Sequence, residues 1–157
     1  AAKLFAANRD SLIVGRLALE AFAGLRYTSA ARISAAEILG AERGIIMPGT
    51  KHKSGRRHYV DGYPKNLWKW LEHAPTACWE VSPRMYLKLK GEAFDRAKVT
   101  NPGNVLRHSF CSYHIAQHKD AARTAVLLTH RSPAMLYQHY KGRATQADAQ
   151  TYFGIMP

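Results

Sequence analysis

Apolar spacing changes register in the middle of this chain, and that change bounds what it can fold into. From Asp10 to Leu25 apolar side chains recur mostly at three and four residues, at Leu12, Ile13, Leu17, Leu19, Ala21 and Phe22. Asp10 or Ser11 can cap such a helix and Gly24 can stop it before Arg26. Ser34 suits the start of a single helical turn through Ile38. Gly44 to Pro48 (GIIMP) and Arg57 to Gly62 (RHYVDG) then break the helical period. Both are short, β-branched or aromatic, and separated by the polar, glycine-containing TKHKSGR, the pattern of a hairpin with a very basic tip.

Helical spacing returns at Pro64, with Leu67, Trp68, Trp70 and Leu71 forming an apolar face as far as Glu72. Ser82-Pro83 opens a further helix through Met85, Tyr86, Leu89, Ala93 and Phe94. After the breaker TNPG, three helical segments follow: Asn104 to His118, Lys119 to Thr129, and Ser132 to Tyr140. A last short helix spans Thr145 to Phe153. With 157 residues, 46% hydrophobic content and neither repeats nor linkers, the expected fold is one mainly α domain, residues 1–157, with a small antiparallel β-sheet.

Charge narrows the partner. Against 11 Asp and Glu stand 23 Lys and Arg, a formal net charge of +12, which favours an anionic partner, nucleic acid before membrane. The excess is spread as +2, +4, +2 and +4 over residues 1–50, 51–73, 74–100 and 101–157. Its local peak is KHKSGRRH, Lys51 to His58, with four basic residues and no acid. A lone charge run is usually a solvated tip. A distributed excess instead suits a surface that meets many phosphates and releases their counterions.

Cys78 and Cys111 have no metal-ligand spacing and read as reduced thiols. No apolar run approaches the roughly 20 residues of a membrane span, and the first residues lack a signal-peptide pattern, so the expected compartment is the cytoplasm. The chain opens on Ala1 and enters a helix almost at once, as a fragment of a longer protein would. In the segment Asn104 to His118, Arg107, Cys111, His114 and His118 share one stripe, while Leu106, Phe110 and Tyr113 are the core candidates. His114 and His118 have the i, i+4 spacing of a ligand pair, but no HExxH or convergent carboxylate accompanies them, and two surface histidines are the plainer reading.

Four strings in order carry a more specific signal: GLRYTS around Arg26, the basic hairpin, NVLRHSF around Arg107, and LLTHRSPAMLYQHY from Leu127 to Tyr140. Together they resemble the catalytic domain of the tyrosine recombinases, the phage-integrase family, over nearly the whole chain. The resemblance implies an integrase-like fold and a site-specific recombinase that cleaves and rejoins double-stranded DNA through a 3′-phosphotyrosyl intermediate, without metal, ATP or another cofactor. It makes Arg26 and Arg107 the clamp on the scissile phosphate, a task suited to planar guanidinium forks. Lys53, with Lys51 as the fallback, becomes the acid for the departing 5′ oxygen, and His130 the third-motif histidine. Tyr140, ten residues after His130, becomes the nucleophile. Tyr137 competes with it and reads better as a packed aromatic; Tyr152 lies too far along the chain.

Lys51, Arg56, Arg57, His108 and Arg131 would contact the DNA around that centre. The resemblance further implies a bacterial or phage-encoded protein whose N-terminal core-binding domain is missing from this fragment. The full-length protein would form a tetramer on DNA, the isolated fragment would be a monomer, and no membrane would be involved. The helix after Tyr140 could dock on a neighbouring protomer, as C-terminal helices of the family do.

Three positions depart from the pattern. Asn104 stands where the HxxR motif begins with histidine, giving an amide that cannot titrate. Ser29 replaces an acidic residue that would buttress Arg26, and Thr129 replaces the glycine before His130. A β-branched residue at that last position implies a negative φ or an altered turn. Asn104 and Thr129 motivate the alternative of a catalytically degenerate, integrase-like DNA-binding module. A general basic or RNA-binding scaffold is the third reading.

Overall fold

The structure is a computed structural model that describes residues 1–48, 55, 57–129, 133–140 and 144–157; within 133–140 it describes the side chains at 133, 134, 136, 138 and 140. Its architecture is mainly helical with one three-stranded antiparallel sheet. The helices are α1 (Ala2–Ala7), α2 (Val14–Phe22), α3 (Tyr27–Ala30), α4 (Lys65–His73), α5 (Pro83–Arg96), α6 (Val105–His118), α7 (Ala121–Leu127), α8 (Pro133–Tyr140) and α9 (Gln146–Phe153). The strands are β1 (Ile38–Leu39), β2 (Gly44–Met47) and β3 (His58–Val60), in that order across the sheet. Among the described residues no helix is long and apolar enough to cross a membrane.

The hairpin strands pair Ile45 with Val60 and Met47 with His58, and Ile45, Met47 and Val60 point into the core. Residues 49–54 and 56 of the expected tip lie outside the described residues, and with them Lys51, Lys53 and Arg56. The sheet gains a third strand that the sequence did not suggest: two residues suffice for β1 because Ile38 and Leu39 pair with Ile45 and Gly44. The expected helical turn after Ser34 is a short 3₁₀ helix, Ala35–Glu37, closed by a reciprocal capping box between Ser34 and Glu37.

Every residue of α2 is buried, and the rest of the domain is built around it. Phe5 of α1 stacks between Phe22 of α2 and Trp70 of α4, at ring-centroid separations of 4.9 and 4.7 Å. The helix starts at Val14, not at Asp10, and Leu12 is exposed. The buried amide of Asn8 donates to the carbonyls of Leu4 and Ala93, which fixes a turn at this point, and Ser11 accepts from the Ile13 amide within that turn. Ser82 caps α5 through its side-chain oxygen, as the Ser82-Pro83 pattern suggests, and Thr145 caps α9 in the same way.

One expectation about the second half needs correction. His114 is not a surface residue: it is 1% exposed, because α6 is covered by α2, α7 and α9 and turns Cys111 and His114 inward along with Leu106, Phe110 and Ile115. The C-terminal helix α9 is seated on its own chain. Tyr152 stacks on Tyr113 at 4.3 Å and donates to the Ala21 carbonyl at 2.5 Å, while the Ile155 carbonyl accepts from the Trp70 indole at 3.0 Å.

Candidate functional site

Helix α2 ends where a left-handed residue turns the chain. Gly24 has φ +66°, and a Cβ there would lie 2.6 Å from Cδ1 of Phe110 and 2.5 Å from Cδ2 of Leu128. Only glycine combines that φ with that proximity. The turn delivers Arg26 at φ −65°, ψ 144° as the residue that opens α3. It also aims the Gly24 carbonyl at α6, where it accepts from Nη1 of Arg107 at 2.6 Å; Nη2 donates to the Leu128 carbonyl at 3.2 Å. Arg107, in the first turn of α6, is thus tied at both ends of its fork to backbone on either side.

Arg26 and Arg107 line one small cleft, with Ser29, Met47, Tyr63 and Thr129 among its walls. Burial, and then the like charge of Arg26, pull the Arg107 guanidinium down to about 10; Cys111, Tyr140 and Tyr63 act in the opposite direction. It is still a cation at neutral pH. Among the described residues no carboxylate forms an ion pair with either arginine. Two cations on one cleft with no carboxylate counterion among the described residues, one of them desolvated, form a site that an anion would relieve.

Tyr140, the last residue of α8, is the third element. Its hydroxyl meets Nδ1 of His108, and the two rings are stacked with centroids 5.8 Å apart and planes at 28°. His108 follows Arg107 on α6, so one helix supplies a cleft arginine and the imidazole against Tyr140. The structure therefore brings together Arg26, Arg107, His108 and Tyr140. Arg57, just before β3, is exposed. Lys51, Lys53, Arg56, His130 and Arg131 lie outside the described residues, as does the side chain of Tyr137.

The three departures now have positions. Ser29 is buried on the cleft wall. Asn104 is the N-cap residue of α6 but makes no side-chain cap, and its Oδ1 is buried without a partner among the described residues. Thr129 has φ +51°, so the expectation of a negative φ was wrong. The backbone is left-handed at Thr129, and the threonine hydroxyl donates to the Leu128 carbonyl at 2.7 Å.

Sequence reasoning missed Tyr63. Its ring walls the cleft, its hydroxyl donates to the Leu127 carbonyl at 3.3 Å, and burial raises its pKa. The only local signal was an aromatic between Gly62 and Pro64, which gave no direction for the side chain. Cys111, one turn beyond Arg107, has its thiol pushed up to about 12 by burial, which keeps it protonated and inert. Among the described residues no group of three or more His, Cys, Asp or Glu is placed to hold a metal. His114 bonds Thr124, its ring stacked on Phe110.

The described residues define a mainly helical domain with a cleft lined by two arginines. Comparison of the chain with family models, curated proteins and solved structures finds no match.

Proposed function

We propose that this chain is the catalytic domain of a tyrosine-type site-specific DNA recombinase with an integrase-like fold. The observation that carries the reading is that Arg26 and Arg107 line one cleft, while Tyr140 meets His108, the residue that follows Arg107 on α6. The net charge of +12 supports a polyanionic partner. In this reading a backbone phosphate of duplex DNA occupies the cleft, its non-bridging oxygens held by the two guanidinium forks. Those forks oppose the charge that gathers as the phosphorus becomes five-coordinate. Tyr140 Oη attacks phosphorus, the bond to the 5′ oxygen breaks, and the energy of that bond is kept in the phosphotyrosyl ester for rejoining. Lys53 protonates the departing oxygen with His130 assisting, roles that come from the sequence resemblance. Lys51, Arg56, Arg57 and Arg131 follow the duplex backbone, and the full-length protein assembles as a tetramer on two sites.

The test is covalent capture. The chain is incubated with a pool of nicked duplexes of randomised sequence, and DNA that survives denaturing wash on the protein is sequenced. An adduct is expected in the wild type and in Tyr137→Phe and is lost in Tyr140→Phe. Arg107→Lys, which cannot reproduce the fork, lowers the yield by about 10²–10³-fold. Salt-dependent binding with no adduct would refute the enzyme and leave the non-cutting DNA-binding module, the reading that Asn104 and Thr129 favour.

A further inference from the structure

We propose that His108 is the base that takes the proton of Tyr140. The inference rests on the reading of Tyr140 as the nucleophile and deepens it. A phenol of ordinary pKa near 10 is ionised in roughly one molecule in a thousand at pH 7, so a tyrosine nucleophile needs a proton acceptor in contact. Nδ1 of His108 meets the Tyr140 hydroxyl. A neutral imidazole is the side chain best matched to accept a proton near pH 7.

The other groups on α6 are unsuited to the task. Arg107 stabilises a phenolate but offers no acceptor. Asn104, one turn before His108, is an amide and cannot titrate. Ser109 donates to the Val105 carbonyl, Cys111 is buried and protonated, and His114 is buried against Thr124. The backbone of His108 is held by the helix, its amide donating to the Asn104 carbonyl at 2.9 Å and its carbonyl accepting from Ser112 Oγ at 3.1 Å. The imidazole thus stands on a rigid element beside the reacting oxygen.

The step balances. As Oη bonds to phosphorus its O–H bond breaks and the proton passes to Nδ1, making His108 an imidazolium. The bond from phosphorus to the 5′ oxygen breaks with its electron pair on oxygen, which takes a proton from the separate acid assigned to Lys53. In rejoining, the 5′ hydroxyl attacks phosphorus and gives its proton back to that acid, while Oη leaves and recovers its own from His108.

The experiment has an arm without DNA and an arm with it. An aryl sulfonyl fluoride forms an S–O bond with a tyrosine Oη and releases fluoride, a reaction that also needs the phenolic proton removed. Fragment-ion sequencing of the modified peptides reads Tyr140 separately from Tyr137, with the half-exposed Tyr59 as internal reference. At pH 7 Tyr140 is expected to react at least about 10-fold faster than Tyr59 in the wild type, and at the Tyr59 rate in His108→Gln. Added imidazole restores part of the rate in His108→Ala and none in Tyr140→Phe. Equal reactivity of Tyr140 and Tyr59 in the wild type, or no change in His108→Gln, overturns the proposal. In the DNA arm His108→Gln slows adduct formation by about 10²–10⁴-fold. A wild type that forms adduct no faster than His108→Gln overturns the role of His108 and leaves the recombinase reading standing. His108-dependent sulfonylation without any DNA adduct in the wild type supports the proton transfer and sinks the recombinase reading.

Discussion

Replacing His114 with glutamine should remove an acid sensitivity that the fold builds into α6. The side chain is 1% exposed, and its Nδ1 lies 2.8 Å from Thr124 Oγ1. The Thr124 hydroxyl already donates to the Asp120 carbonyl at 2.8 Å, so Nδ1 of His114 carries the hydrogen and a second proton would have to enter at Nε2. Burial pulls the ring from 6.5 down to about 3, with the nearby positive charges of His118 and Arg123 acting in the same direction and Asp120 against them. Between those two values the unfolded chain binds a proton that the folded chain refuses, so stability is full above about pH 6.5 and falls as the pH drops towards 3. The slope is about 1.4 kcal/mol per pH unit, or about 2 kcal/mol lost by pH 5, against a typical total of about 5–15 kcal/mol. Urea denaturation of wild type and His114→Gln at pH 7, 6 and 5 isolates the effect, because titrating groups that do not interact with His114 cancel in the difference. The stability of the wild type relative to the variant should fall by about 2 kcal/mol from pH 7 to pH 5. A difference flat to within about 0.5 kcal/mol would show that His114 is protonated in the folded state and that the burial argument fails.

The other two stability predictions concern the backbone before His130 and the polar core. Thr129→Gly relieves a left-handed threonine at about 1–2 kcal/mol but adds unfolded-state freedom of about 0.5–1, so the melting temperature should rise by about 1–4 °C, and a fall would mean that the hydroxyl bond to Leu128 outweighs the strain. Lys90, 3% exposed on α5, donates to the fully buried Glu20 of α2 at 2.5 Å, and Tyr86 bonds the other carboxylate oxygen. Lys90→Ala should lose about 3–5 kcal/mol by stranding that carboxylate, whereas Lys90→Met combined with Glu20→Leu should recover most of it in the same urea assay. A loss below about 1 kcal/mol for Lys90→Ala would place the Glu20 proton on the carboxyl in the folded state.

What the sequence disclosed divides by range of interaction. Helices with a cap and sustained spacing, such as α5 behind Ser82-Pro83, and the β2–β3 hairpin were legible because their determinants are local. The four-residue α3 and two-residue β1 were not, since neither is long enough to show a period and each exists through its neighbours in space. The burial of His114 was hidden for a related reason: spacing reports one apolar face, but α6 is packed on several sides and accepts a histidine inside because Thr124 satisfies it. Arg26 and Arg107 were singled out by resemblance, not by local chemistry. Their meeting depends on carbonyls of Gly24 and Leu128, far away in the chain from Arg107, which no spacing rule connects.

Thr129 and Asn104 have different physical weights. Thr129 holds a left-handed backbone at φ +51°, a conformation that glycine would adopt freely, so a threonine there acts on stability. Asn104 is an amide that cannot hold a proton, and its Oδ1 is buried without a partner among the described residues. A helix repeats its face after four residues, so the next side chain on the same side of α6 is His108, the group in contact with Tyr140. Under the recombinase reading, the titratable function missing at the start of the motif is supplied one turn later. An Asn104→His change should therefore do little to the reactivity of Tyr140 while His108 is present.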